Sequence, residues 1–333
     1  MTSGLSNPIA FPRELPQGYS YLDEAVTFDV DRHLQLEQPD QIYKLADFGY
    51  GESEIAQCPT DFAVSSPVRL LSDEGVAALL AVARSLRQYA VGCERIQNMV
   101  RGGVYQSRFL RDLCLCPEVT QFLKGIFGTE LAPHTMPLHL GHLNFAPDDL
   151  DKAVDKWHHD TLGLDYVMLV SDPRQLDGGE FQYFLGSKYE AAELAAAGKS
   201  IPADRVVSPE FPGPGYISPL HGNMVVHRAA KLNAVGERIT MVNGYVPLDS
   251  SLPDPCRFFD LKQVDPHHVL FSEWARHKAW LAQGKLNRLI DDIPFTEDRA
   301  SLVLSLKSAV VDVEAAIADL SDDSDGKMIH YGD

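Results

Sequence analysis

Between about Leu131 and Val246 the apolar residues fall in short runs, each closed by Gly, Pro, Asp or Asn, which is the pattern of strands joined by turns. The runs predict strands at Thr135–Phe145, Val154–Asp160, Asp165–Ser171, Glu180–Gly186, Tyr216–Leu220, Asn223–Ala229 and Glu237–Val246. An Ala- and Glu-rich stretch, Lys188–Gly198, predicts a helical insertion reaching toward Pro214. On both sides of this region the period lengthens to that of a helix. Ser72 with Asp73 and Glu74 marks a helix start, and Val76, Leu79, Leu80, Ala83 and Leu86 line one face. A second helix opens at Pro117 and stops at Gly128. Beyond Pro266, Phe271, Trp274, Lys278, Leu281, Leu286, Leu289 and Ile290 predict a long helix interrupted at Gly284, and Leu302 to Ile317 predict another.

Short strands without alternating helices imply an α+β fold with a mainly antiparallel β core, a sandwich or barrel. Three segments follow: a proline-dotted arm over residues 1–60, a strand-rich core over 61–250, and a helical extension over 251–333. The acidic tail after Asp319 is expected to fray. The helix with Trp274 and Trp280 is either a packing helix or the face of a homodimer.

The strand pattern gives the histidines their meaning. His158 and Asp160 are two residues apart, so on an extended strand their side chains share a face. A histidine from a remote strand, His227, would complete a two-histidine, one-carboxylate set that leaves three metal positions open, as in non-haem Fe(II) oxygenases. Arg238 lies eleven positions beyond His227, far enough to return on the next strand. Thr240 shares its face. His159 replaces His158 only if the register slips by one, which would turn Asp160 away. His221 precedes Gly222-Asn223 and reads as a turn residue or a group behind the ligands. His142 and Asn144 alternate on the preceding strand, where they either line the cavity or pack. Arg101, Tyr105 and Gln106 sit in a glycine-containing loop and read as solvated surface, as do His267 and His268.

Composition narrows the partners. The net charge of −18 argues against nucleic acid and anionic membranes, both of which attract basic patches. Five scattered cysteines without a Cys-x-x-Cys pair suit reduced thiols in the cytoplasm. Met1 to Leu22 is polar and shows no signal peptide, and no run approaches the ~18 apolar residues of a membrane span. A small-molecule substrate is expected.

The ordered motifs His158-x-Asp160, Gly178-Gly179-Glu180-Phe181, Gly186-Ser187-Lys188, His221-Gly222-Asn223, His227 and Arg238 resemble the phytanoyl-CoA-hydroxylase-like branch of the Fe(II)/2-oxoglutarate-dependent dioxygenases. The likeness covers residues 60–250. The branch often has Gly-Ser-His and Gly-Asp where this chain has Gly186-Ser187-Lys188 and Gly222-Asn223. The resemblance implies a double-stranded β-helix with Fe(II) on His158, Asp160 and His227. It further implies 2-oxoglutarate and O2 as cosubstrates, with the far carboxylate of the keto acid on Arg238 and Thr240, and His142 and Asn144 near the same molecule. Asp160 stands where related halogenases carry a small residue, so hydroxylation, desaturation or ring closure is expected. The runners-up are a keto-acid-independent iron oxygenase and a non-catalytic metal-binding scaffold.

Overall fold

Two-residue alternation along three strands decides where the interior cavity lies. The computed structural model describes residues 8–324 and 328–332; residues 1–7 of the arm and 325–327 and 333 of the tail lie outside the described part. Among the described residues the helices are α1 (Val30–His33), α2 (Glu52–Ile55), α3 (Asp73–Leu86), α4 (Arg108–Cys114), α5 (Pro117–Phe127), α6 (Lys188–Ala196), α7 (Phe258–Lys262), α8 (His267–Asp292) and α9 (Arg299–Ser321). The strands before the metal motif are β1 (Ile42–Lys44), β2 (Phe62–Ser65), β3 (Val68–Arg69), β4 (Met99–Val100), β5 (Leu131–Pro133) and β6 (His142–Phe145). Those from the motif onward are β7 (Ala153–His158), β8 (Leu164–Leu169), β9 (Phe181–Phe184), β10 (Val206–Val207), β11 (Tyr216–Leu220), β12 (His227–Lys231) and β13 (Ile239–Pro247).

The strands form two antiparallel sheets. The larger runs β1-β2-β11-β8-β13-β6-β4, with β3 on β11 and β5 on β13; the smaller runs β10-β9-β12-β7. On β6, β8 and β13 one face carries Leu143, Phe145, Leu164, Tyr166, Met168, Ile239, Met241 and Tyr245, which join α3, α4 and α5 in a single apolar core. The alternate positions His142, Asn144, Val167, Thr240 and Val242 face inward and line a cleft shared with the smaller sheet. Apolar-out and polar-in is the reverse of a one-sided sheet, because here helices cover the outer face. The fold is α+β with large antiparallel sheets.

Local signals account for the helix ends. The Ser72 hydroxyl accepts from the Gly75 N–H at the start of α3, and Pro117 opens α5, which closes on Gly128 at φ +67°. Burying the Val119, Phe122, Leu123, Ile126 and Phe127 face of α5 contributes about 1.5–3 kcal/mol per side chain.

Five expectations change. The strand expected at Asn223–Ala229 begins only at His227, because Met224 and Val225 N–H close a turn on His221 O. Thr135–Phe145 is not one strand, because Pro137 starts a 3-10 turn and Gly141 turns the chain at φ +61°, leaving only His142–Phe145 extended. Gly284 does not interrupt α8; it lets the helix press on the β13–α7 loop, where an added Cβ would stand 2.1 Å from Ser250 Oγ. The tail does not simply fray: Met328 is buried, and Tyr331 N–H donates to Trp157 O at 2.7 Å, laying the chain along the free edge of β7. Arg101, Tyr105 and Gln106 are buried rather than solvated, since the C-terminal helices cover their loop. Tyr105 packs with Trp274, whose face is thereby spent inside the molecule. His267 and His268 are exposed as expected, each on a backbone carbonyl.

α8 sets an unusual acid against that covered loop. Glu273 accepts from Tyr105 Oη at 2.5 Å and from Leu138 N at 3.0 Å, and burial pushes its carboxyl up to about 8. A raised pKa in the folded state gives stability that is whole below about pH 4.5 and is lost as pH rises toward 8. Glu273→Gln should therefore raise stability by a few kcal/mol at pH 8–9 and change little near pH 4, at about 1.4 kcal/mol per pH unit. Urea melts across this range test it; an equal loss at every pH would contradict it.

Candidate metal centre

β7 and β12 pair so that His158 and His227 stand opposite one another, with ring centroids 4.3 Å apart. Each ring is held by its own strand: His158 Nδ1 donates to Lys156 O at 2.6 Å and His227 Nδ1 to Val225 O at 2.9 Å. Both Nδ1 atoms therefore carry the proton, and both Nε2 lone pairs are free to face a metal. After His158 the chain leaves the sheet. Asp160 N–H donates to Gly222 O at 2.8 Å, which brings the carboxylate back beneath the two rings.

Asp160 Oδ1 is 3.3 Å from His158 Nε2, and Oδ2 is 3.4 Å from His227 Nε2. An octahedral ion with bonds of about 2.1 Å separates neighbouring ligands by about 3.0 Å, so the carboxylate approaches each imidazole to within a few tenths of an ångström of that spacing. All three ligand atoms lie within 4.8 Å of one another. Burial opposes the charge on Asp160, but the two imidazoles outweigh it and hold the carboxyl well below the usual range. His158 is pushed down by burial and then by the Arg95 charge, which keeps it neutral; for His227 burial is the largest influence and pulls down, but the Asp160 charge together with the hydrogen bonds to Asp160 and Val225 O raises the group overall. Behind the set, Asp165 is wholly buried with neither oxygen hydrogen-bonded. Burial, then the Asp160 charge, pushes its carboxyl well above the usual range, so it stands as a neutral acid.

Arg238 immediately precedes β13 and is buried, 2% exposed, in the same cleft. Its Nε donates to Gly179 O at 2.7 Å, while Nη1 has no protein partner. Gly179, at φ +76°, allows this contact, since a Cβ there would stand 3.0 Å from Arg238 Cδ. Burial pulls the guanidinium down to about 10, yet it remains charged at neutral pH. A fixed, unpaired cation facing a cavity is a site for a carboxylate. Thr240 follows on the same face, and Asn144 lies opposite it in register. His142 and Asn144 both line the cleft, with His142 Nε2 and Asn144 Oδ1 unpartnered. The cleft spans about 860 Å³ of space between the side chains, open solvent at its mouth included.

Several contributors carry no recognisable sequence signal. Arg101 forks onto Asp265 at 2.7 and 2.8 Å and turns its remaining N–H groups toward His142 Nδ1 at 3.5 Å and His139 Nδ1 at 3.3 Å. A guanidinium only donates, so His142 accepts on Nδ1 and presents its Nε2–H to the cleft. Arg95 pairs with Asp155 at 2.9 Å, and Arg257 donates to the carbonyls of His159 and Asp160 at 3.2 Å. His159 turns away from the set and meets Tyr331 Oη at 2.6 Å. His221 is buried with Nδ1 on Phe62 O at 3.0 Å, outside the ligand group.

Among the described residues two further clusters of metal-binding residue types lie elsewhere: His134, His139 and Cys256, and Asp254, Cys256 and His277. Their internal bonds distinguish them. His134 Nδ1 accepts the Met136 N–H, so its Nε2 carries the proton that meets Cys256 Sγ at 3.6 Å. Asp254 is already engaged by Lys278 Nζ at 2.6 Å and His277 Nε2 at 3.1 Å. Of the three, only the His158 set turns two free lone pairs and a carboxylate toward one point.

No family model and no curated protein matches the chain. Solved structures do. The chain is similar to EctD from S. alaskensis, solved with 2-oxoglutarate and 5-hydroxyectoine, at 15% identity over 75% of this chain and 93% of that one, with a TM-score of 0.42. It is similar to the non-heme alpha-ketoglutarate-dependent carbocyclase SnoK from nogalamycin biosynthesis, at 15% identity over 64% of this chain and 88% of that one, with a TM-score of 0.42. It is also similar to HygX from Streptomyces hygroscopicus, solved with nickel and 2-oxoglutarate, at 15% identity over 54% of this chain and 80% of that one, with a TM-score of 0.35. All three carry 2-oxoglutarate or are named for it. No helix among the described residues is long and apolar enough to cross a membrane.

Proposed function

We propose that this chain is a non-haem Fe(II)/2-oxoglutarate-dependent oxygenase on a double-stranded β-helix, oxidising a C–H bond of a small metabolite with release of succinate and CO2. In this reading residues 61–250 form the oxygenase core, the 1–60 arm wraps it, and residues 251–333 close it with helices. One observation carries the reading: a two-histidine, one-carboxylate set of the right size shares a cleft with a buried arginine that has an unpaired N–H. His158, Asp160 and His227 would hold the iron, whose bound form supplies oxygen activation coupled to decarboxylation of the keto acid. Arg238 would fork onto the far carboxylate of 2-oxoglutarate, with Thr240, Asn144 and His142 around it.

The remaining residues act on geometry and water. Lys156 O and Val225 O fix the two imidazoles, Arg257 holds the His159–Asp160 turn, and Arg101 fixes His142 as an Nε2–H donor toward the cleft. Leu162, Val167, Phe181, Val242, Leu261 and Met328 supply the apolar part of the lining that would keep water from a substrate C–H bond. Hydroxylation, desaturation and ring closure all suit an intact carboxylate ligand. Five unpaired cysteines suit work in the cytoplasm.

Anaerobic calorimetry of the Fe(II)-loaded protein with 2-oxoglutarate tests the reading. One equivalent should bind with micromolar affinity, and metal-free protein should bind it far more weakly. Full iron loading without keto-acid binding would move the assignment to a keto-acid-independent oxygenase.

A further inference from the structure

α9 is apolar on two sides, and α8 covers only one of them. Ala309 and Ala316 are buried, Ala316 beside Trp274, and Asp312 meets Lys285 of α8 at 2.6 Å. The outward side carries Val303, Leu306, Val310, Val313, Ile317 and Leu320, spaced three, four, three, four and three residues apart. Val310 is half-buried and the other five are 38–61% exposed. This is a seam with the heptad spacing of a coiled coil, about 25 Å long at 1.5 Å per residue. Leu304 and Val311 are exposed on a separate face of α9, beyond Lys307 and Glu314, and Ile290 and Phe295 at the α8–α9 turn are also exposed.

We infer that a second copy of this chain covers the seam, with the two α9 helices antiparallel across a two-fold axis. Charge selects both the occupant and its direction. α9 is entered through Glu297 and Asp298 and carries Arg299 and Lys307 in its first half; Glu314 lies in the second half, Asp322 and Asp323 at the exit, and Asp319 turns toward Trp274 and Lys278 of its own chain. Set antiparallel, Lys307 and Arg299 of each copy fall along Glu314 and Asp322 of the other; set parallel, each of these charges would meet its own like. Lys307 and Glu314 both flank the seam at the position after an inward-facing residue, so Lys307 of one copy lies near Glu314 of the other. Antiparallel alignment also opposes the helix dipoles. A surface complementary to itself in this way closes as an isologous dimer rather than a filament. The interface is therefore on α9, not on the face of Trp274, which is buried within its own chain.

Sedimentation equilibrium of the full chain over roughly 0.1–50 µM tests this. The wild type should be a dimer in the micromolar range. Val313→Glu with Ile317→Glu should weaken association at least about 100-fold while leaving helical content and 2-oxoglutarate binding unchanged. Should that variant misfold, the charge pair decides: Lys307→Glu alone should weaken the dimer, and Lys307→Glu with Glu314→Lys should restore it. A monomeric wild type, a dimer indifferent to Val313→Glu/Ile317→Glu, or a charge swap that fails to restore association overturns the inference.

Discussion

His227→Ala should lose stoichiometric Fe(II) binding, with affinity falling well beyond the ~10–100-fold that changes behind a ligand cost. In the proposed site the imidazole is one of three ligands, its Nε2 3.4 Å from Asp160 Oδ2. Turnover should fall with the metal. Two other buried histidines serve as controls. His221 and His159 are also buried, but the first is bound to Phe62 O and the second to Tyr331 Oη. Alanine at either should cost stability and leave iron loading intact. Added imidazole should restore part of the metal affinity in His227→Ala, because the truncation opens a ring-sized space beside Phe181, whose ring centroid is 5.7 Å from that of His227. Iron bound normally by His227→Ala, or lost equally by His221→Ala, would contradict the assignment.

Arg238→Ala should separate keto-acid binding from iron binding. The guanidinium is buried, anchored by Nε on Gly179 O, and offers its other edge to the cleft. Removing a charge-assisted fork costs about 3 kcal/mol or more, so the dissociation constant for 2-oxoglutarate should rise by a factor of about 100 or greater. Iron affinity should stay within a few-fold. Arg238→Lys should recover little, since one ammonium cannot both reach Gly179 O and present two parallel donors. Titrating each Fe(II)-loaded variant with 2-oxoglutarate reads this directly. A parallel loss of iron in Arg238→Ala would make the residue a structural support instead.

The sequence showed the parts of this site that are local. His158-x-Asp160 could be read because two-residue spacing shares a face in any extended segment, and the loop after His158 keeps that relation even though β7 has ended. His227 and Arg238 were legible through order and spacing along the chain. Tyr216–Leu220 matched to the residue because its boundaries are marked on both sides. What could not be read depends on distant packing. Arg101 sits in a glycine-containing loop that looks solvated until Asp265, 164 residues later, arrives with the C-terminal helices to bury it. Gly284 has the form of a helix breaker, and only the position of Ser250 shows why it is a contact. The return of Tyr331 to Trp157 has no periodicity to announce it. Period-2 reasoning also missed the break inside Thr135–Phe145, where Pro137 and Gly141 outrank the apolar pattern.

The visible spectrum of the anaerobic protein tests the central claim most directly. With Fe(II) alone it should be nearly featureless, and 2-oxoglutarate should bring up an iron-to-keto-acid charge-transfer band. The band should be absent in His227→Ala and should require far more keto acid in Arg238→Ala. No band at saturating 2-oxoglutarate, with iron bound to the wild type, would contradict the shared iron and keto-acid site.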